Sequence, residues 1–211
     1  MTRATAFDEM RGLSRGKRVR EPYRDVADWL DQQSIDSLRR KSGDAEMLFR
    51  RSGITFAVYG AEASSERLIP FDIIPRVLSA AEWRRLAQGL EQRVRALNAF
   101  MYDIYHRQEI LRAGRIPEDL VIQNAAFVPE MMGAEPPRGI YSHIIGIDIV
   151  RTTESDFYVL EDNTRTPSGV SYMLENRETM MQMFPTLFAV NRVRPVENYP
   201  VLLRQSLAAT A

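Results

Sequence analysis

The spacing of hydrophobic residues predicts helices in the N-terminal quarter of the chain. Residues 25–51 place apolar side chains mostly at helical spacing between charged ones. The small residues Ser42 and Gly43 interrupt this pattern, so we expect two short helices that are broken there. Before them, residues 1–21 combine six Arg or Lys residues with few apolar ones. We expect this arm to be mobile or to lie on the surface as a solvated tail.

The strongest helical pattern begins after Ser79, which forms a capping box with Glu82. Apolar residues then recur at steps of three and four, as the core-facing side of a helix requires. They are Trp83, Leu86, Leu90, Val94, Leu97, Met101 and Ile104. This helix is predicted to run to about Leu111 and to stop at Gly114.

Other segments have the shorter period of β-strands. Residues 54–59 and 67–72 predict one hairpin, and residues 140–150 and 157–160 predict a second, antiparallel hairpin with a turn at 152–156. The run 120–122 suggests a short strand within a stretch rich in Pro and Gly. A helix is expected from about Tyr172 to Met183, before Pro185, and residues 199–211 also have a helical pattern.

The expected fold is therefore α+β, with mixed or antiparallel strands and packed helices. We divide the chain into residues 1–50, the arm and short helices, and residues 51–211. The 211 residues contain 28 Lys and Arg, 28 Asp and Glu, and no Cys. This balance disfavours nucleic acid and membranes as partners, and it excludes disulfides and thiolate metal sites. No apolar window approaches the length of a membrane helix, and we predict a cytoplasmic protein.

Candidate chemistry is concentrated on the second predicted hairpin. Asp148 lies between Ile147 and Ile149 on the first strand, and Glu161 and Asn163 share one side of the second, with Asp162 facing away. Two carboxylates and one amide oxygen are ligands that suit Mg²⁺ at a phosphoryl-transfer site. The alternative is a buried salt bridge of Asp148, to Arg165 or Arg177.

The spacing of these residues resembles a known family. Asp148, a gap, then Leu-Glu161-Asp-Asn163-Thr followed by Pro and Gly resembles the magnesium-binding hairpin of ATP-grasp ligases, including D-alanine–D-alanine ligases. Residues 53–60, 69–76, 93–98 and 160–177 look like circularly permuted ATP-grasp proteins of type 2. D-alanine–D-alanine ligases often carry Arg where this chain has Gly146. The resemblance covers nearly the whole chain and implies part of a permuted ATP-grasp fold.

The resemblance also implies roles for individual residues. Asp148, Glu161 and Asn163 match the metal ligands. Arg165 and Arg177 would stabilise charge on an acyl phosphate, although Arg177 equally suits an ion pair on a helix surface. The residues expected to line the acceptor side are Ser168, Gly169, Ser171, Tyr172 and Asn176. Ser168 and Gly169 also suit a simple turn, and His143 suits strand packing better than base catalysis.

The implied activity is ATP- and Mg²⁺-dependent ligation of a small-molecule carboxylate to an amine through an acyl phosphate, as in small-peptide synthesis. No phosphate loop, lysine pair or adenine hinge is found in the sequence. The resemblance places these parts beyond Ala211, on the remainder of the ligase chain or on a partner subunit, so we expect a chain truncated at its C-terminus and inactive alone. The alternatives are a non-catalytic adaptor module and a metal-dependent hydrolase, for which His106 and His143 lack ligand spacing.

Overall fold

The computed structural model describes residues 7–12, 18–53, 55–57, 66–68 and 70–211. Helices dominate these residues, and the strands form two separate two-stranded sheets. The helices are α1 Arg24–Asp31, α2 Ile35–Ser52, α3 Ala80–Ile104, α4 Glu109–Arg112, α5 Asp119–Ile122, α6 Val170–Met183, α7 Pro185–Asn191 and α8 Tyr199–Ala208. The strands are β1 Thr55–Ala57, β2 Glu66–Leu68, β3 Gly146–Arg151 and β4 Phe157–Asn163. The α+β prediction is confirmed.

The chain forms two compact units, each assembled from separate stretches of sequence. The first contains residues 1–79, 151–156 and 168–198, and the second contains residues 80–150, 157–167 and 199–211. The strands β3 and β4 thus belong mainly to the second unit, whereas the turn between them belongs to the first. Within the described residues, no helix is long and apolar enough to cross a membrane.

The two N-terminal helices form as predicted, but the break between them lies elsewhere. The chain leaves the helical path at residues 32–34, and α2 then continues without interruption through Ser42 and Gly43. Ser34 starts α2 because its side-chain oxygen accepts a hydrogen bond from the Ser37 N–H at 3.1 Å. Gly53, at a φ of 67°, ends the helix in the left-handed conformation that glycine adopts without strain.

The helix α3 ends seven residues earlier than the apolar spacing predicts. Its last residue is Ile104, and the carboxylate of Asp103 accepts hydrogen bonds from the backbone N–H groups of Glu109 and Ile110, each at 2.9 Å. These bonds start the separate short helix α4. Gln108 adopts a positive φ of 54° between the two helices, which no side-chain periodicity reveals.

Both predicted hairpins are present in the described residues, although residues 70–72 of the predicted strand 67–72 are not part of a strand. In the first, β1 pairs antiparallel with β2, Phe56 opposite Arg67; residues 58–65 lie outside the described residues. In the second, β3 pairs with β4, and the five-residue link requires antiparallel strands. Residues 140–145 are not part of β3, so the prediction that His143 packs within a strand is wrong: it is exposed in the preceding loop, beside Thr210.

The two helices predicted in the C-terminal part are confirmed, and the short strand predicted at residues 120–122 is instead a helix. Residues 120–122 lie in α5 and not in a strand. The prediction was wrong because an apolar run of this length does not distinguish a strand from a helical turn. The expected helices near 172–183 and 199–211 are α6 and α8. Pro185 does end α6, but it also opens α7 at a position where its missing N–H costs nothing.

The core of the first unit lies where α2 and α6 meet. Its buried residues are Ala45, Ile73, Met180 and Phe184. Trp29 packs edge-on against Phe184 with ring centroids 5.0 Å apart, an arrangement that aromatic pairs favour. This packing fixes α6, which carries several of the candidate acceptor residues.

The N-terminal segment is held by ion pairs, so the expectation of a solvated tail is wrong for residues 7–12. Glu9 forms salt bridges with Arg20, Arg76 and Arg151 at 3.4, 2.6 and 3.1 Å. The Arg151 side chain is only 1% exposed, and its guanidinium lies 5.0 Å from the ring centre of Phe7. Burying this charge requires the carboxylate of Glu9. Residues 1–6 and 13–17 of the predicted arm lie outside the described residues.

Candidate metal and acceptor site

Asp148 occupies the third position of β3 and is exposed. Within the part of the chain that the structure describes, no basic side chain forms an ion pair with it, which disfavours the alternative of a buried salt bridge to Arg165 or Arg177. An apolar strand carries such an exposed carboxylate without a desolvation cost. Asp148 is therefore available to a ligand from solvent.

The pairing of β3 with β4 favours a common face for the three candidate metal ligands. A Cβ atom built on Gly146 would lie 3.5 Å from the Cβ of Asn163, so these two positions are neighbours on one face of the hairpin. Side chains alternate along each strand, and two steps along both antiparallel strands lead from this pair to Asp148 and Glu161. Facing Cβ atoms in such a pair are about 5 Å apart. Glu161 is exposed, and Asn163 is half-buried.

Asp162, between two of these candidates, binds a helix instead. Its Oδ1 accepts a hydrogen bond from Arg93 Nε at 2.7 Å, and its Oδ2 accepts one from Arg93 Nη2 at 2.5 Å. Hydrogen bonding to Arg93 lowers the pKa of Asp162 below its ordinary value, and the same bond raises the pKa of Arg93. Asp162 is thus a charged partner of α3, on the face of β4 opposite to Glu161 and Asn163.

Residues of α3 that the sequence does not single out hold this hairpin. Asn98 accepts hydrogen bonds from the backbone N–H groups of Tyr141 and Ser142 at 2.8 and 3.1 Å, just before β3. The Ser142 hydroxyl in turn donates to the Thr164 carbonyl at 2.7 Å, just after β4. One signal was present in the sequence: Asn98 is a polar residue four positions after Val94, at the edge of the apolar stripe of α3.

The candidate acceptor residues continue the chain after β4. Arg165 is exposed and belongs to the same unit as Asp148 and Glu161. Six others belong to the first unit, four of them at the start of α6 and two in its middle: Ser168, Gly169, Ser171, Tyr172, Asn176 and Arg177. Gly169 has a φ of 92° and starts α6, so it makes the turn that its residue type suggests.

Two residues of α6 have unusual polar surroundings. Arg177 donates a hydrogen bond to the carbonyl of Arg194 at 2.6 Å, and its guanidinium lies 5.8 Å from the ring centre of Phe188. This arrangement differs from the surface ion pair that we considered. The Oδ1 atom of Asn176 is buried, and no donor reaches it from the described residues. A buried acceptor without a donor is costly, which makes Asn176 a candidate for contact with a ligand.

The available side chains suit magnesium better than a softer metal. Among the residues that the structure describes, no group of three or more His, Cys, Asp and Glu side chains could hold a metal ion. The hairpin instead offers two carboxylates and one amide oxygen, on Asp148, Glu161 and Asn163. Mg²⁺ usually binds one or two protein carboxylates and completes its shell with water and phosphate oxygens, so this donor set fits it.

Comparison with known proteins reveals relatives that are considerably longer. An uncharacterized protein of Synechocystis is 43% identical over 182 residues, which are 86% of this chain and 38% of the relative. One of Mycobacterium tuberculosis is 44% identical over 99% of this chain and 37% of its own length. A protein of Frankia casuarinae, named as a candidate glutamate–cysteine ligase, is 36% identical over 98% of this chain and 24% of its own length.

The chain therefore spans little more than a third of the first two relatives. Residues 75–211 match the family described as a circularly permuted ATPgrasp, and this match includes β3, β4 and α6. Assignment to type 2 stays a prediction. The match covers well over half of the chain, and the chain belongs to the circularly permuted ATP-grasp family.

Proposed function

We propose that the chain carries the magnesium-binding part of an ATP-dependent carboxylate–amine ligase. The observation that supports this most directly is the closeness of Gly146 and Asn163, because strand alternation then assigns Asp148 and Glu161 to the same face. Family membership supports ATP as the nucleotide. The name of the Frankia relative, a ligase of glutamate and cysteine, is compatible with joining a carboxylate to an amine.

In this proposal, Asp148, Glu161 and Asn163 would hold Mg²⁺, which would neutralise negative charge on the ATP phosphates. The substrate carboxylate attacks the γ-phosphorus, and the bond from that phosphorus to the bridging oxygen breaks to release ADP. An amine then attacks the acyl carbon of the acyl phosphate and displaces inorganic phosphate, which leaves an amide after loss of a proton. The products are small peptides or peptide-like conjugates.

The arginines of the proposed site would interact with the acyl phosphate. Arg165 is exposed, and its planar guanidinium suits a phosphoryl group. Arg177 uses Nη1 on the carbonyl of Arg194, which orients the rest of its guanidinium. Asn176 would accept a hydrogen bond from the incoming amine through its buried Oδ1. Ser168, Gly169, Ser171 and Tyr172 would contribute to acceptor binding from the first unit. We propose small-molecule substrates and a cytoplasmic protein.

Substitution of the carboxylates tests the proposal. ADP release and trapping of the acyl phosphate by hydroxylamine, which yields a hydroxamate, should be measured for the native full-length protein with Asp148→Asn or Glu161→Gln. Loss of one ligand should reduce both rates at least about a hundredfold, with the thermal midpoint nearly unchanged. Asp156→Asn, in the turn of the same hairpin, is the matched control and should retain activity. Near-normal hydroxamate formation by both site variants would refute the proposal, whereas no hydroxamate formation by the unsubstituted protein would favour a non-catalytic adaptor.

A further inference from the structure

The helix α3 contacts β4 and the loop that precedes β3, at one end of the hairpin that carries Asp148 and Glu161. We propose that Arg93 and Asn98 are positioning residues for the metal ligands Asp148, Glu161 and Asn163. This inference rests on the proposed function, since it assigns a task to residues outside the proposed site. All of these residues belong to the second unit.

Arg93 fixes the end of β4 on which two ligands lie. Its guanidinium makes a bidentate contact with the Asp162 carboxylate, with Nε–Oδ1 and Nη2–Oδ2 distances of 2.7 and 2.5 Å. Such a fork restricts rotation and translation more than a single bond does. Because Asp162 lies between Glu161 and Asn163, holding it against α3 directs both neighbours to the opposite face.

Asn98 holds the loop that precedes β3. Its Oδ1 accepts two backbone hydrogen bonds, from Tyr141 and Ser142, and its Nδ2 donates to the Val94 carbonyl within α3 at 3.2 Å. The amide group is therefore oriented by its own helix. Ser142 is buried, and its hydroxyl donates a hydrogen bond to the carbonyl of Thr164. This bond joins the segment before β3 to the segment after β4.

A single rigid element thus supports the two strands. Arg93 and Asn98 lie five residues apart on a helix of 25 residues, about 7.5 Å along its axis. A metal site requires its ligands within about 0.5 Å of the productive geometry, and a two-stranded sheet alone is only marginally stable in water. The contacts with α3 supply this precision, so they should affect metal affinity although neither residue is a ligand.

The test measures binding of Mn²⁺ alone, as a probe for Mg²⁺, from the electron paramagnetic resonance signal of the free ion. Arg93→Asp should weaken binding about tenfold, as loss of an outer-shell partner typically does. Exposed Arg95, two residues along α3, provides the matched control. Arg95→Asp makes the same change in charge, which by itself attracts a cation, so it should leave affinity unchanged or slightly higher.

Exchange of the two charges separates positioning from general damage. Asp162→Arg should also weaken Mn²⁺ binding, whereas the double variant with Arg93→Asp and Asp162→Arg rebuilds the pair and should return to within about threefold of the wild-type affinity. Asn98→Ala should also weaken Mn²⁺ binding. Equal affinities for wild type and Arg93→Asp, or no recovery in the double variant, would overturn the inference.

Glu161→Gln distinguishes the two proposals. If this variant binds Mn²⁺ as wild type does, the metal site itself is refuted, and the positioning inference falls with it. If it loses Mn²⁺ while Arg93→Asp retains it, the proposed function stands and the role of α3 is wrong.

Discussion

Gly146 lies so close to Pro167 that there is no space for a side chain: a Cβ atom at Gly146 would be 2.9 Å from the Cβ of the proline. Carbon atoms in contact are normally 3.5–4.0 Å apart, and a proline ring cannot rotate away. This contact explains why the position that often holds Arg in D-alanine–D-alanine ligases holds Gly here. Phosphate contacts from that position are sterically excluded.

Gly146→Ala should therefore destabilise the protein, by about 1–3 kcal/mol, because the added methyl group forces β3 and the loop at Pro167 apart. Denaturation by urea, followed by circular dichroism, measures the change. Gly89→Ala is the matched control: Gly89 lies within α3 with no atom within 4 Å of its would-be Cβ, so alanine should stabilise by about 0.5–1 kcal/mol. A change in the free energy of unfolding in the same direction for both substitutions would contradict this account.

The pair of Arg93 and Asp162 should make the stability of the protein depend on pH in the acidic range. Its hydrogen bonds lower the pKa of Asp162 from 3.8, so the carboxylate binds protons less readily when folded than when unfolded. Its stabilisation is complete above pH 3.8 and disappears as the pH falls through the lowered folded value. Asp162→Asn should lower the thermal midpoint at neutral pH, and the difference from wild type should vanish in strong acid.

The control for this pH dependence is Asp36→Asn. Asp36 also pairs with an arginine, Arg39, but both side chains are more than three-quarters exposed and their N–O distance is 3.4 Å. Exposed pairs contribute little. The thermal midpoint of Asp36→Asn should stay close to that of wild type. A pH-dependent difference as large as that of Asp162→Asn would contradict the role given to the close contact of Asp162 with Arg93.

Ser34→Ala should destabilise α2 by about 1 kcal/mol, because it removes the side-chain oxygen that accepts the Ser37 N–H. Gly43→Ala should have the opposite effect, since Gly43 lies inside α2 and nothing lies within 4 Å of an added Cβ. Urea midpoints for the two single variants measure both effects. A destabilising Gly43→Ala would indicate that α2 does break there, as the sequence pattern first suggested.

Glu9→Gln should release the N-terminal segment, because the buried guanidinium of Arg151 loses its counter-charge. A loss of about 2 kcal/mol is expected from the weakened charged hydrogen bonds. Limited proteolysis, with cleavage sites read by mass spectrometry, should then detect cuts near residues 7–12. Glu21→Gln changes an exposed residue and should leave the cleavage pattern as in wild type.

Sequence patterns predicted local structure where one interaction dominated. The hairpin of β3 and β4 followed from strand spacing, and α6 from its flanking Gly and Pro residues. The patterns failed where a single polar contact decided the boundary. Gly43 looked like a break, although its cost within a helix is only about 1 kcal/mol, and the true start of α2 depends on the hydroxyl of Ser34.

The candidate metal ligands could be predicted from the sequence, whereas the contacts that hold them in place could not. Asp148 and Glu161 are visible because carboxylates are unusual in strands and their spacing resembles a family motif. The contact of Arg93 with Asp162 joins residues 69 positions apart, so no local pattern encodes it. It becomes evident only when α3 and β4 are placed in space.

The salt bridge of Glu9 with Arg151 has a consequence for synthesis on the ribosome. The two residues are separated by 142 positions. At roughly 5–20 residues per second, Glu9 must wait on the order of 7–30 seconds before its partner is made. During that time the N-terminal segment lacks the buried charge that later holds it, and it remains open to chaperones and proteases. The first unit therefore completes its folding late, although it contains the residues that are translated first.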